Sequence, residues 1–256
     1  MTRRRRLLAV YARVFRVYRA WWRNLLALAA LVFIPLGFID ALLEGVDTSS
    51  LDVTDGFKVA ALLGALAAVT ASSLFGEVFF SGAIAASLTH PEDEEQPGFV
   101  HLARHISYGK LIAVDLIFVL MMVIGTVAFI VPGILVFVYL SLAGPVVELE
   151  KRRVWDGYRR SFQLVRGHFW MAAGLLIPVE ILGDAVNDAL VGAAHHLLGH
   201  DLLSAWVGEA VGNIVTAPVV SVAIVLLTLD LIHHRDGAAP SLKRRPQAVV
   251  TAEAPT

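Results

Sequence analysis

Residues 111–147, LIAVDLIFVLMMVIGTVAFIVPGILVFVYLSLAGPVV, decide the fold class. Two apolar runs, Leu111–Val131 and Gly133–Val147, are separated only by Val131-Pro132-Gly133. About 20 apolar residues carry a helix across a bilayer core, so the first run qualifies as a span and the second nearly does. Pro lacks a donor and Gly tolerates positive φ, so the junction reads as a tight helical hairpin at one membrane face. Buried strands are the alternative for apolar runs, but runs this long favour helices.

Working outward, four more segments qualify or nearly do: Asn24–Leu43, Val59–Leu88, Phe169–Leu190 and Val207–Ile232. The second is too long for one straight crossing and must tilt or protrude. The whole composition agrees, with 57% hydrophobic and 17% charged residues over 256 positions and a mean hydropathy of +0.70. A soluble chain would show about 45–50% apolar and about 25% charged residues. The expected fold is therefore all-α, a polytopic bundle of six transmembrane helices forming a single domain over residues 1–235. The tail 236–256, rich in Gly, Ala, Pro and basic residues, is expected to be disordered.

Orientation follows from Lys and Arg in the short loops. Eight arginines lie between Arg3 and Arg23, and six basic residues between Lys151 and Arg166. Arg104 and Lys110 lie between the second and third spans, and Arg235, Lys243, Arg244 and Arg245 follow the last. With six spans, 20 of the 21 basic residues share one face, leaving only Lys58 opposite. That face is read as cytoplasmic, with both termini inside and the protein in the cell (plasma or inner) membrane.

Two segments read as interfacial amphipathic helices on the cytoplasmic leaflet. In residues 1–23, Leu7, Tyr11, Val14, Phe15, Tyr18 and Trp22 share one helical face, opposite Arg13, Arg16, Arg19 and Arg23. Those arginines interrupt any cleavable signal sequence. In residues 154–168, with Phe169 following, Val154, Trp155, Tyr158, Phe162 and Val165 form a second stripe, with Arg159 and Arg166 at its edge. Arg13, Arg16, Arg19, Arg159 and Arg166 are thus expected to meet anionic headgroups, at about 1 kcal/mol each.

Val131–Trp170 is the most distinctive stretch. A Val-Pro-Gly-Ile hairpin leads to Pro145-Val-Val-Glu-Leu-Glu150, then Arg159-Arg160-Ser161 and Leu164-Val165-Arg166-Gly167-His168-Phe169-Trp170. This resembles the bacterial family named after the membrane domain of glycerophosphodiester phosphodiesterases. The resemblance implies a multi-pass envelope protein without the phosphodiesterase activity, which belongs to a separate soluble barrel. That barrel's His-Arg…Pro-Glu-Asn opening and acidic metal ligands have no counterpart here. In this stretch Glu148 and Glu150 are expected to meet Arg159 or Arg166, and Pro145 to bend the fourth span.

Ionisable groups inside spans are expensive and usually face a bundle interior or a cavity. Thr70, Ser73, Glu77 and Ser81 share a face of the second span; Glu180, Asp184, Asn187 and Asp188 form a stripe on the fifth. Glu209, Asn213 and Thr216 share a face of the sixth, beside Gly208-x-x-x-Gly212, a pair that permits close helix approach. Glu77, Glu180, Asp184, Asp188, Glu209 and Asn213 are candidates for a polar cavity that would take a cation, a protonatable solute or a headgroup amine. His196 and His200, like His101 and His105, have i, i+4 spacing, but the His-Glu-x-x-His form of a zinc site is absent.

No cysteine, phosphate loop, nucleophile elbow or nucleotide signature is present. No metal, cofactor, catalytic residue or nucleic-acid partner is therefore expected. The leading expectation is a non-catalytic membrane protein that organises or assists membrane proteins or lipids. The runner-up is a transporter or small-solute binder that uses the intramembrane carboxylates.

Overall fold

The computed structural model describes residues 3–44, 76–88, 107–199 and 201–236. Every regular element among them is an α-helix: α1 (Arg3–Glu44), α2 (Glu77–Leu88), α3 (Tyr108–Ala128), α4 (Ile130–Leu140), α5 (Ala143–Leu149), α6 (Val154–Arg166), α7 (Phe169–Leu198) and α8 (Leu202–Asp236). Among the described residues five segments are long and apolar enough to cross a membrane: Val10–Phe38, Tyr108–Ala128, Val131–Leu149, Phe169–Leu198 and Leu202–Asp236. The chain is thus a multi-pass helical membrane protein. Most of the expected span Val59–Leu88, with Thr70 and Ser73, lies outside the described residues; its described part, α2, has 12 residues. The tail from residue 237 also lies outside them.

The core is built around α8. Its second half, from Ala217 to Ile232, is buried on nearly every side, as expected of a helix that is apolar all round. Helices α1 and α7 flank it, and α2 packs on it in turn. Gly208 and Gly212 let α7 approach: a Cβ at Gly208 would lie 3.0 Å from Val191 Cα, and one at Gly212 would overlap Asn187 Oδ1. The close approach expected of that small-residue pair is present.

Three long helices contain an internal proline: Pro35, Pro178 and Pro218. Pro178 cannot donate to the carbonyl of Gly174, four residues earlier. The hydroxyl of Tyr11, on α1, donates to that carbonyl (3.1 Å) and to that of Leu175 (3.3 Å), re-satisfying a backbone group that lipid could not. This contact places the start of α1 level with the start of α7. At the opposite end, Trp206 Nε1, near the start of α8, donates to the Ile34 carbonyl (2.9 Å). Arg160 of α6 pairs with Asp236, and Arg235 donates to the Gln163 carbonyl. The beginning of α1, helix α6 and the end of α8 therefore share one end of the bundle.

Several expectations need correction. Residues 1–23 do not form a separate helix: α1 runs unbroken from Arg3 to Glu44, because nothing between Leu7 and Leu31 stops a helix, and Pro35 falls later. Val14 is buried and Tyr11 and Tyr18 are half-buried against the bundle, whereas Phe15 and Trp22 face outward. The hairpin breaks at Phe129, in extended backbone (φ −171°, ψ 154°), not at Pro132-Gly133. Pro132 sits in the first turn of α4, where its missing donor costs nothing. Gly133 serves close approach instead: a Cβ there would lie 2.7 Å from Thr126 Oγ1, and one at Gly125 would lie 3.1 Å from Gly133 Cα.

The fourth span is interrupted at Ser141-Leu142, and Pro145 occupies the first turn of α5. Ser161 Oγ donates to the Tyr139 carbonyl (2.6 Å), one of those left at the end of α4. Helix α5 ends with Lys151 at φ 49°, and the Arg152 N–H returns to the Val147 carbonyl. That is a Schellman-type stop with lysine at the usual glycine position.

Candidate functional site

Asp115 is a fully engaged ionisable group inside the bundle. It lies two turns into α3 and is 2% exposed. Its Oδ2 accepts the N–H of Gly76 (2.7 Å), and its Oδ1 accepts those of Val78 (3.1 Å) and Phe79 (3.2 Å). Those are donors of the first turn of α2, which have no partner within their own helix. Gly76, at φ 91°, supplies the left-handed turn that aims them at the carboxylate. Negative charge at a helix N-terminus is also favoured by the helix dipole. A second carboxylate works the same way: Glu148, 2% exposed, accepts the Ser107 N–H at the start of α3 (3.0 Å) and pairs with Lys151 (2.8 Å).

Sequence reasoning did not single out Asp115. The available signal was its position as the lone charge in the run from Leu111 to Val147. Glu148 was expected to meet Arg159 or Arg166, and Glu150 likewise. Instead Glu150 pairs with Arg152 and with Arg160 (3.1 Å for the latter). Helix α6 buries Gly157, Tyr158, Ser161, Leu164 and Val165. That rotation brings Arg160 to Glu150 and turns Arg159 and Arg166 outward. The Tyr158 hydroxyl donates to the Val114 carbonyl, tying α6 to the turn that carries Asp115.

The six cavity candidates fall in two groups. Glu77, in the first turn of α2, is 7% exposed, and neither of its carboxyl oxygens has a hydrogen-bond partner. The charged groups acting on it are Glu180 first, then Asp115 and Asp184. Glu180 is half-buried with an unpartnered Oε2, whereas Asp184 and Asp188 are exposed. The second group lies toward the α7–α8 turn. There Glu209 Oε2 accepts from Asn187 (3.5 Å) and Asn213 (3.4 Å). Thr216 Oγ1 donates to the Gly212 carbonyl of its own helix (3.0 Å).

A cavity of about 280 Å³ lies elsewhere, between α1, α2 and α3. It is lined chiefly by apolar residues such as Leu28, Val32, Phe79 and Ile112, with Asp115 among them.

The end that gathers the start of α1, α6 and the end of α8 is basic and aromatic. Arg152, Arg153, Arg159 and Arg166 are exposed beside Trp155 (62%), Phe162 (44%) and Trp170 (70%). On α1, Arg13, Arg16, Arg19 and Arg23 are exposed with Phe15 and Trp22. At the other end, Gly199 (φ 100°) stops α7, and Asp201 caps α8, its Oδ1 accepting the Ser204 N–H (2.9 Å). This hydrogen bond holds the Asp201 carboxyl below the usual carboxylate range.

Among the described residues no group of three or more His, Cys, Asp or Glu side chains could hold a metal ion. His200, His101 and His105 lie outside them. No protein-family model, no curated protein and no solved structure matches this chain.

Proposed function

We propose that this chain is a six-span, non-catalytic protein of the cell membrane that organises or assists membrane proteins and lipids from its cytoplasmic face, where both termini lie. The observation that carries the reading is the outer surface of α6. One side of that helix is sealed into the bundle by Tyr158, Leu164 and Val165. The other offers exposed arginines among exposed aromatic rings. Aromatic rings suit the membrane–water boundary, and guanidinium groups suit anionic headgroups.

An even number of crossings is supported by the start of α1 and the end of α8 lying at one end of the bundle. The basic loops gather at that end, which supports its cytoplasmic placement. The stretch Val131–Trp170, similar to the membrane-domain family, fits the same assignment.

The test is to purify the full chain in mild detergent and identify its co-purifying lipids and proteins by mass spectrometry. The expected result is enrichment of anionic phospholipid over the host membrane, lost in an Arg159→Gln/Arg166→Gln variant. A lipid profile equal to the host membrane, with no reproducible partner, overturns the reading. Because the chain lacks cysteine, orientation is separately readable. A membrane-impermeant thiol reagent added to whole cells should label Leu197→Cys and spare Gln163→Cys; the reverse pattern inverts the topology.

A further inference from the structure

We infer that Glu77 and Glu180 form a proton-binding site inside the bundle, reached from the α7–α8 end by way of Asp188 and Asp184. Asp188, Asp184 and Glu180 are spaced four residues apart, so they stand on one face of α7, one turn above another. Their exposure falls along that face. Asp188 and Asp184 are exposed, Glu180 is half-buried, and Glu77, on α2, is buried; α2 and α7 both pack on α8. Each is the electrostatic neighbour of the next: Asp188 of Asp184, Asp184 of Glu180, and Glu180 of Glu77.

What points to a ligand is the inner end. Both Glu77 oxygens and Glu180 Oε2 are buried with no hydrogen-bond partner. A buried carboxylate without donors is costly unless something neutralises it. The charged groups of the described residues that act on Glu77 are Glu180 and Asp184 of α7 and Asp115 of α3, with no Lys or Arg among them. Asp115 is engaged elsewhere, its oxygens accepting three backbone N–H groups. Among the described residues no group neutralises it, and a species from solution would do so. Two side chains do not make the closed oxygen shell that a metal cation requires, and among the described residues no three or more His, Cys, Asp or Glu side chains are placed to hold a metal ion. A proton, delivered from water along the α7 face and returned the same way, satisfies the site. Intramembrane carboxyl chains are suited to that task. This site is independent of the basic face, whose failure in the lipid test would leave it untouched.

The experiment is infrared difference spectroscopy of the full chain in nanodiscs, between acid and alkaline buffer. The protonated-carboxyl carbonyl band is the readout. Wild type should show a titrating band with a component lost in Glu77→Gln, a second lost in Glu180→Gln, and both lost in the double variant. Asp188→Asn should keep both components. Circular dichroism and size exclusion verify folding; if Glu77→Gln does not fold, Glu180→Gln, at a half-buried position, decides alone. A band unchanged by Glu180→Gln overturns the site. Saturable sodium or potassium binding that both variants abolish overturns the assignment to a proton.

Discussion

Asp115 and Glu77 are two buried carboxyls that meet at the start of one short helix, in opposite conditions. Asp115 comes from a neighbouring helix and collects three backbone donors of α2. Glu77 belongs to α2 itself, and its two oxygens have no partner. The first is a structural group: its charge completes a helix end that lipid could not solvate. The second is a group that the fold leaves open. Burial alone therefore says little about role; what distinguishes the two is where the donors are.

The comparison is broken or sharpened most strongly at Asp115. Asp115→Ala strands three buried N–H groups, each costing about 1–3 kcal/mol. The variant is expected to lose several kcal/mol of stability, read as a large drop in Tm in detergent. Asp115→Asn, which keeps one carbonyl acceptor, should fall between it and wild type. A fully stable Asp115→Ala would mean that α2 does not depend on this cap.

The packing that holds α2 in place provides the next test. A Cβ on Gly144 of α5 would lie 2.2 Å from the Val78 carbonyl oxygen. Gly144→Ala must push α2 off α5, at about 1–3 kcal/mol for overpacking. Proteolysis or unfolding in detergent should show this loss, whereas Gly167→Ala, with open space around its Cβ, should not.

Glu77 is expected to behave in the opposite sense. Glu77→Gln removes no hydrogen bond, and the change should stay within about 1 kcal/mol of wild type or raise stability. If Glu77→Gln proves as damaging as Asp115→Ala, the contrast between the two sites is lost.

The smallest effect concerns Asp201, an exposed carboxylate at the other end of the bundle. Its carboxyl lies below the ordinary range because the Ser204 N–H favours the charged form. A depressed group stabilises the fold above its unfolded value and loses that contribution as pH falls through the folded one. Protection of the Ser204 amide against exchange, relative to an unstructured amide at the same pH, should therefore be high at neutral pH and fall only in acid. In Asp201→Asn this acid-dependent loss of protection should disappear.

Local readings survived where the cause was local. Hydropathy and length identified the long apolar helices, and the Gly208–Gly212 spacing foretold the close contact with α7. The arginine periodicity put Arg13, Arg16 and Arg19 on one side of the first helix, and they are exposed. The i, i+4 stripe of α7 was equally legible. Boundaries were less so: Phe129 ends α3 three residues before Pro132, since proline in a first helical turn breaks nothing.

The sequence by itself determined that this is an all-helical, multi-pass membrane protein with polar stripes and basic flanks. Those properties follow from side-chain period and run length along one helix at a time. Only the tertiary structure decided that Asp115 caps α2, that Glu150 pairs with Arg160 and not Arg159, and that Tyr11 answers the gap left by Pro178. Each of those depends on the rotation and register of one helix against another. Such placement is set by the summed packing of many residues, and no single spacing encodes it.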